Sequence, residues 1–157
     1  MVEPLFTGSA LSPVSPDGRM TLPPFARATL ANRASSGRML IGVHEADACL
    51  VAFDRGELGE LQSDCRRRRI AEEGSTPQQS YNRLRRIFGF MEEVEIGVSG
   101  RFRIPSLLRR RAGIGDAALV LGTGGAFELW NPQAALDAGD PDLCELVAFR
   151  LDLQQAA

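Results

Sequence analysis

The sequence predicts an α+β, β-rich fold made of two diverged copies of one small unit, joined by helices. The first observation is an internal repeat, since GRMTLPPFAR from Gly18 matches GRFRIPSLLR from Gly100 at a constant offset of 82. The second is that alternating apolar residues and a pair of apolar runs flank each copy, which is typical of strands. The third is a stretch between the copies with apolar residues at three- and four-residue steps, which is typical of helices.

Length and composition fit one compact domain or two very small ones. The 157 residues are 44 % hydrophobic and 24 % charged, which is enough for an ordinary core and indicates no wholesale disorder. No apolar run approaches the roughly 18 residues that a membrane span needs, and the first residues lack the pattern of a secretory signal. We therefore expect a cytoplasmic protein with no membrane partner.

Histidine and cysteine usage argues against catalytic and metal chemistry. The chain has one histidine, His44, and three widely spaced cysteines, Cys49, Cys65 and Cys144. These residues form neither a disulfide framework nor a paired zinc-ligand motif, and they support no Ser/His/Asp or Cys/His arrangement. We therefore expect no enzyme activity, no catalytic residue, no metal, no cofactor and no small-molecule substrate.

The distribution of charge is more informative than the net charge of −2, which by itself argues weakly against a nucleic-acid partner. All 18 basic residues are arginine, the side chain suited to bidentate contact with phosphate and guanine. The arginines cluster at 66–69, 83–86 and 101–111, whereas acidic residues dominate the tail from 137 to 152. We interpret the first two clusters as solvated helical faces that pair with acidic groups of a neighbouring subunit.

The first unit is predicted to span residues 5–54. After the Gly18 turn, apolar and polar residues alternate, so that Met20 points inward and Arg19 outward. Pro23 then suits the first position of a helix that runs to about residue 31, because its φ angle is fixed. Two apolar runs follow and predict a hairpin. They cover residues 39–43 and 48–53.

Two helices are predicted in the connection, residues 55–91. Apolar residues spaced for one face mark the first helix from Leu58 to Cys65. Thr76 opens the second helix with a capping-box pattern and a proline in the first turn. An apolar stripe on this second helix is interpreted as core or as a subunit interface. The stripe contains Tyr81, Leu84, Phe88 and Met91.

The second unit, residues 92–133, repeats the plan of the first. Val94, Ile96 and Val98 alternate with other residues as in a half-buried strand. Pro105 opens a short helix that Gly113 is placed to end. Apolar runs at 117–121 and 126–130 then predict a hairpin. Residues 134–157 are expected to form a loose or partly helical acidic tail.

These repeated motifs resemble those of the MraZ family of bacterial transcription regulators. That family carries two AbrB-like, swapped-hairpin units in tandem, each with a Gly-Arg-x-x-Ile-Pro signature. The first hairpin of the family carries a Cys-Leu pair, and the second ends in Phe-Glu-(Ile/Leu)-Trp. The matching residues here are 18–23, 100–105, Cys49-Leu50 and Phe127-Glu128-Leu129-Trp130, and the resemblance covers about residues 5–131.

The resemblance implies a pseudo-twofold β-barrel built from two swapped-hairpin units. It also implies a sequence-specific DNA-binding regulator of a bacterial division and cell-wall operon, with repression favoured over activation. The partner would be double-stranded DNA carrying short direct repeats near the promoter. The same resemblance implies a homo-oligomer, assembled as a ring, in a protein associated with the nucleoid.

The predicted DNA contacts lie in the two Gly-Arg turns. The resemblance assigns contacts to Arg19 and Arg101, while Gly18 and Gly100 let the backbone approach a phosphate. Arg103 is added because it lies on the same strand face as Arg101. We therefore expect the two turns and the strands that follow them to form the DNA-binding surface.

Four further residues recur in both copies and are predicted to be structural. Pro23 and Pro105 begin the helical turns, and Arg27 and Arg109 follow four residues later in each copy. For the two arginines, an ion pair or a packed side-chain stem is favoured over base contact.

Two departures from the family pattern affect the turns. The family usually has an aspartate three residues before the glycine, where this chain has Ser15 and Gly97. A basic residue often precedes the first Gly-Arg, where this chain has Asp17. Because a carboxylate repels phosphate, we expect the first turn to bind DNA more weakly or with altered specificity.

Two other classes of function stay open. AbrB-like units also occur in antitoxins, where a disordered tail wraps a toxin, and the acidic region after Asp137 suits that part. Two complete units argue against such a protein–protein module. An enzyme is a more distant alternative, and it would need a ligand pocket lined by His44.

Overall fold

Two antiparallel sheets form the centre of the protein, whose computed structural model describes residues 4–33, 37–71 and 74–156, with no account of the side chains of 69–71. Within these residues there is a six-stranded sheet and a two-stranded ribbon. The strands are β1 (Ser9–Pro13), β2 (Arg19–Thr21), β3 (Arg38–Val43), β4 (Leu50–Phe53), β5 (Glu92–Glu95), β6 (Arg101–Arg103), β7 (Ala117–Gly122) and β8 (Phe127–Trp130).

The strands of the two units are interleaved in the larger sheet. Its order is β1-β7-β8-β4-β3-β5, so the two hairpins lie side by side in the middle. The first strand of each unit pairs with the hairpin of the other unit, β1 with β7 and β5 with β3. Strands β2 and β6 pair only with each other. Both predicted hairpins and the α+β class are confirmed.

The expected closed β-barrel is wrong for the part of the chain that the structure describes. The six-stranded sheet is open, with β1 and β5 at its edges. Strands β2 and β6 form a separate ribbon and do not bridge those edges. Each of them is three residues long and is soon followed by a proline, Pro23 or Pro105. Because proline has no N–H to donate, the ladder ends there.

Six α-helices accompany the strands in the described residues. They are α1 (Pro24–Asn32), α2 (Leu58–Ala71), α3 (Pro77–Gly89), α4 (Ser106–Ala112), α5 (Pro132–Asp137) and α6 (Pro141–Ala156). The predicted capping box of α3 is confirmed, since Gln79 N–H donates to Thr76 Oγ1 at 3.2 Å and Thr76 N–H to Gln79 Oε1 at 2.9 Å. Gly113 ends α4 with a φ of 64°, as its position predicts. No helix in the described ranges is both long and apolar enough to cross a membrane.

One hydrophobic core serves both units. Met20 and Phe102, from the inner face of the ribbon, are buried in the same cluster as the hairpin residues Leu50 and Leu129. Because each unit contributes strands to the sheet and side chains to this cluster, neither unit holds a separate core of its own in the described structure.

The region after residue 133 is helical and packed, so the expectation of a loose tail is wrong, whereas the expected helix is confirmed. Val147 of α6 is fully buried and joins Leu119 and Trp130 in a second hydrophobic cluster. Asn131 caps α5 by accepting a hydrogen bond from Gln133 N–H at 2.9 Å. Burial of apolar side chains against Trp130 therefore orders a segment whose composition alone looked loose.

Two further expectations about apolar residues are wrong in detail. Val98 is 97 % exposed because β5 ends at Glu95 and the chain then turns toward Gly100. In α3, Tyr81 of the predicted stripe is 59 % exposed, whereas Ile87, which lies outside the stripe, is buried. The buried face of α3 is therefore rotated from the predicted one, and a role of Tyr81 in a subunit interface stays a prediction.

A buried ion cluster was not predicted. The side chain of Arg33, after α1, is fully buried, and its Nε lies 2.9 Å from Asp54 Oδ1. The same guanidinium pairs with Glu57 and lies 5.3 Å from the centre of the Phe6 ring. Buried charges need such partners because leaving water is costly. The cluster fixes the end of α1 to the segment that follows β4.

Candidate nucleic-acid interface

The ribbon places the three predicted arginines on one exposed face. In the register of β2 and β6, Arg19 lies opposite Arg103 and Met20 opposite Phe102. Met20 and Phe102 are buried, and because side chains alternate along a strand, their neighbours point outward. The exposed face of the ribbon, called the arginine face below, consists of Arg19, Thr21, Arg101 and Arg103.

Each strand of the ribbon begins at a tight turn that requires glycine. Gly18 and Gly100 have φ angles of 88° and 84°, a region that other residues enter only with strain. Gly18 N–H donates to Ser15 O, and Gly100 N–H donates to Gly97 O, both at 2.9 Å. The first turn is thus residues 15–18 and the second turn residues 97–100, with the same backbone arrangement.

Backbone hydrogen bonds tie the turn of each unit to the strand of the other. Leu22 N–H donates to Gly100 O, and Ile104 N–H donates to Gly18 O, both at 2.9 Å. These two bonds are related by the same offset as the sequence repeat. Because β2 and β6 are antiparallel, these bonds hold the two turns at opposite ends of the ribbon.

Arg27 and Arg109 reach across to the turn of the opposite unit. Arg109 donates to Pro16 O at 2.9 Å and to Ser15 O at 3.3 Å, and also to two backbone oxygens after α4. Arg27 donates to Val98 O. The partners of both arginines are backbone carbonyls, whereas the sequence favoured an ion pair or a packed stem.

Asp17 connects the side chains of the arginine face at the first turn. Its Oδ2 lies 3.2 Å from Arg19 Nε and 3.3 Å from Arg103 Nη2. Its Oδ1 accepts a hydrogen bond from Ser15 Oγ, and that hydroxyl in turn accepts one from Arg19 N–H at 2.9 Å. The hydrogen bond from Ser15, then the hydrogen bond from Arg103 and the charges of Arg19 and Arg103, hold the pKa of Asp17 below its ordinary value.

The second turn has no equivalent of this arrangement. Gly97 and Ser99 stand at the positions that correspond to Ser15 and Asp17. Arg101 faces Thr21 across the ribbon. Among the residues that the structure describes, no carboxylate lies within ion-pairing distance of Arg101. The positive charge of the arginine face is therefore partly neutralised by Asp17 at the first turn and is not neutralised by a carboxylate at the second turn.

Comparisons with known proteins show the family of this chain. The transcriptional regulator MraZ of Ralstonia pickettii is 30 % identical over 92 % of this chain and 100 % of that relative. The MraZ of Bordetella pertussis matches equally, and that of Alcanivorax borkumensis is 29 % identical over 85 % of this chain and 87 % of its own. The chain belongs to the MraZ family. No family model matches it.

Several arginines of the other two clusters in this MraZ-family chain pair within the described residues. Arg68 of α2 pairs with Glu45, which follows β3, and Arg86 of α3 donates to the Glu45 backbone oxygen at 3.1 Å. Arg67 pairs with Asp64 in its own helix. Arg68 and Arg86 thus hold α2 and α3 against the segment that follows β3, and pairing of the remaining arginines with a neighbouring subunit stays a prediction.

His44, Cys49 and Glu128 form a compact cluster that the sequence did not predict. Their possible ligand atoms lie within 4.8 Å of one another. His44 Nε2 lies 3.0 Å from Glu128 Oε2, while His44 Nδ1 accepts hydrogen bonds from the backbone N–H groups of Ala46 and Asp47. Burial, and then the charge of Glu128, raise the pKa of the Cys49 thiol. Since both histidine nitrogens have protein partners, the geometry supports a structural role that ties the two hairpins together.

Proposed function

We propose that this MraZ-family chain is a sequence-specific DNA-binding transcription regulator of a division and cell-wall operon. In this proposal residues 5–54 and 92–133 act as two DNA-binding units, and the arginine face is the contact surface. The observation that carries it is that Arg19, Arg101 and Arg103 share one exposed face beside two glycine turns. Arginine forks are suited to phosphate oxygens and to the acceptor edge of guanine.

The rigidity of this face supports recognition of a defined site. The two turns are fixed by cross-unit backbone bonds and by Arg27 and Arg109, while Met20 and Phe102 anchor the ribbon below. A contact surface that is already ordered loses little conformational entropy on binding. Gly18 and Gly100, which have no side chains, leave room for Arg109 and Arg27 to pack against the turns.

Oligomerisation is part of the proposal, because one protomer offers few cations. A handful of phosphate contacts supports only weak non-specific binding, roughly 10⁻⁴ to 10⁻⁶ M at physiological salt. Several linked protomers on consecutive direct repeats would multiply the affinity without any new type of contact. We therefore propose a ring-shaped homo-oligomer whose arginine faces bind promoter repeats, in the cytoplasm and on the nucleoid.

The antitoxin-like alternative has less support. It relies on an extended, disordered acidic tail that wraps a partner, whereas most of the region after Asp137 is the helix α6, packed through Val147. No described feature points to a second function of that region.

A gel-shift titration of the purified protein against its own upstream DNA tests the proposal. We expect a cooperative, salt-sensitive shift. A scrambled duplex should compete only poorly with the upstream DNA for the protein. Arg19→Ala and Arg101→Ala should each weaken binding at least tenfold per site. The slope of log K against log salt should fall by about 0.9 for every phosphate that a variant no longer neutralises.

Arg67→Ala is the matched control, because it removes one exposed arginine from α2, outside the arginine face. It should bind operator DNA like the wild type. A folded protein that binds upstream and scrambled DNA alike, or an equal loss of affinity in all three variants, would contradict the proposed function.

A further inference from the structure

The side chains at the two turns differ although the backbones match. The difference begins with the register of the ribbon, which sets Arg19 directly opposite Arg103. Like charges at such a position repel each other. Asp17 lies between these two guanidinium groups and contacts both. At the second turn, Arg101 faces the neutral Thr21, and Ser99 takes the place of Asp17.

Asp17 holds Arg19 by one particular edge. The contact runs from Asp17 Oδ2 to Arg19 Nε at 3.2 Å, so the carboxylate lies at the side of the guanidinium group and not at the end that the two terminal nitrogens form. These nitrogens form the fork that matches two adjacent acceptors, such as O6 and N7 of guanine in the major groove. Arg19 therefore keeps this fork available for DNA while Asp17 contacts its Nε.

Ser15 fixes Asp17 in turn. Its hydroxyl donates to Asp17 Oδ1 and accepts from the backbone N–H of Arg19, so the carboxylate is tied to the strand that carries Arg19. Gly97 holds the corresponding place in the second turn and has no side chain to do this. Ser15, Asp17 and Arg19 together form a connected group, called the Asp17 bridge below.

We infer that the Asp17 bridge makes Arg19 a base-reading side chain for guanine, whereas the uncompensated Arg101 makes the phosphate contact. Asp17 is thus a positioning residue that acts through Arg19. Its charge also lowers the attraction of the first turn for any phosphate, so it raises selectivity at the cost of non-specific affinity. This inference depends on the proposed function, since it names what each turn contacts on DNA.

The experiment measures selectivity base by base. The probe is the upstream duplex with each guanine replaced in turn by 7-deazaguanine, which removes the N7 acceptor and keeps Watson–Crick pairing. Wild-type protein should lose roughly fivefold or more in affinity at one guanine of each repeat. Arg19→Ala should show no further loss at that guanine, whereas Arg101→Ala should keep the full 7-deazaguanine effect.

Asp17→Ser gives the first turn the residue that the second turn has at the corresponding position, Ser99, and is the decisive variant. It should lose the 7-deazaguanine effect, bind the scrambled duplex more tightly, and steepen the salt slope by about 0.9 for each first turn engaged. Asp17→Asn, which keeps the side-chain shape and a hydrogen-bond acceptor, should fall between Asp17→Ser and the wild type. Ser99→Asp should weaken binding to both duplexes and leave the Arg19 guanine effect unchanged.

The outcomes separate this inference from the proposed function. If Asp17→Ser binds selectively with the wild-type 7-deazaguanine effect, Asp17 has only a structural role and the inference is overturned. If Arg101→Ala, and not Arg19→Ala, removes the 7-deazaguanine effect, the assignment of guanine to Arg19 and of phosphate to Arg101 is overturned. The proposed function then still stands. If the wild type does not distinguish upstream from scrambled DNA, both are overturned.

Discussion

The first and second turns have the same backbone conformation but differ in the side chains that contact them. At the first turn, Arg109 donates to two carbonyls of the turn and to two more beside α4. At the second turn, the exposed Arg27 donates to the carbonyl of Val98. Asp17 compensates the arginines of the first turn, and Ser99 leaves Arg101 uncompensated. Duplication thus fixed the backbone geometry, while single side chains changed the rigidity and charge of each copy.

This difference indicates that the first turn is the more firmly fixed of the two. A partly buried side chain that donates four hydrogen bonds to carbonyls orders its surroundings more than an exposed side chain that donates one. Rigid positioning is what direct base readout needs, whereas a phosphate contact tolerates more variation. The anchoring Arg109 and the Asp17 bridge therefore both make the first turn more rigid than the second.

The largest expected effect is on stability when the anchoring arginines are removed. Arg109→Ala should lower the free energy of unfolding by about 2–3 kcal/mol, because several carbonyls lose a charged donor. Arg27→Ala should cost about 1 kcal/mol. Denaturant unfolding measures both, with the exposed Arg110→Ala as the control. Equal losses for Arg27→Ala and Arg109→Ala would remove the contrast between the turns.

A smaller effect is expected when the turn glycines gain a side chain. Gly18→Ala and Gly100→Ala should each cost about 1–2 kcal/mol, because an alanine at positive φ is strained. A Cβ at Gly100 would also lie 3.1 Å from Arg27 Cδ, whereas one at Gly18 would lie 3.5 Å from Arg109 Cδ.

A double-mutant cycle sharpens this prediction. Removing Arg27 relieves the close approach, so Gly100→Ala and Arg27→Ala together should cost less than the sum of the single changes. Gly18→Ala and Arg109→Ala should add within about 0.5 kcal/mol. Coupling of the same size in both cycles would show that the two turns are equally crowded.

The smallest expected effect concerns the ionisation of Asp17. Its pKa lies below the ordinary value, so its contribution to stability is present above that value and is lost as the pH falls through the folded-state pKa. An NMR titration of the carboxyl carbon should show the lowered pKa, and Ser15→Ala should raise it toward the ordinary value. Arg101→Ala should leave it unchanged. An unshifted pKa in the wild type would contradict the Asp17 bridge.

Much of the fold was predictable because its signals are local. The hairpins follow from apolar runs, the start of α3 from the Thr76 capping box, and the end of α4 from Gly113. The repeat also located both turns. What the sequence did not show is which strands pair, and therefore that the sheet is open, because strand pairing depends on contacts between residues far apart in the chain.

The candidate site was predicted as a set of residues and not as an arrangement. Arg19, Arg101 and Arg103 do share one face, as alternation along the strands indicates. Asp17 was expected to repel phosphate, but its pairing with Arg103 requires the register of the ribbon. That register could not be obtained from either copy alone. The buried Arg33 cluster was missed for the same reason, since Asp54 and Glu57 are distant in sequence.

The interleaved sheet has a consequence for how the chain acquires its structure during synthesis. Ser9 of β1 pairs with Leu121 of β7, and Met39 of β3 pairs with Val94 of β5. Such long-range pairings slow folding, because a large loop must close before either pairing forms. While the ribosome is still making the second half of the chain, β1 has no partner strand, and its apolar side chains stay exposed to solvent. The ribbon that carries the proposed DNA contacts therefore forms late, only after β6 has emerged, and a truncated chain would expose open strand edges that favour aggregation.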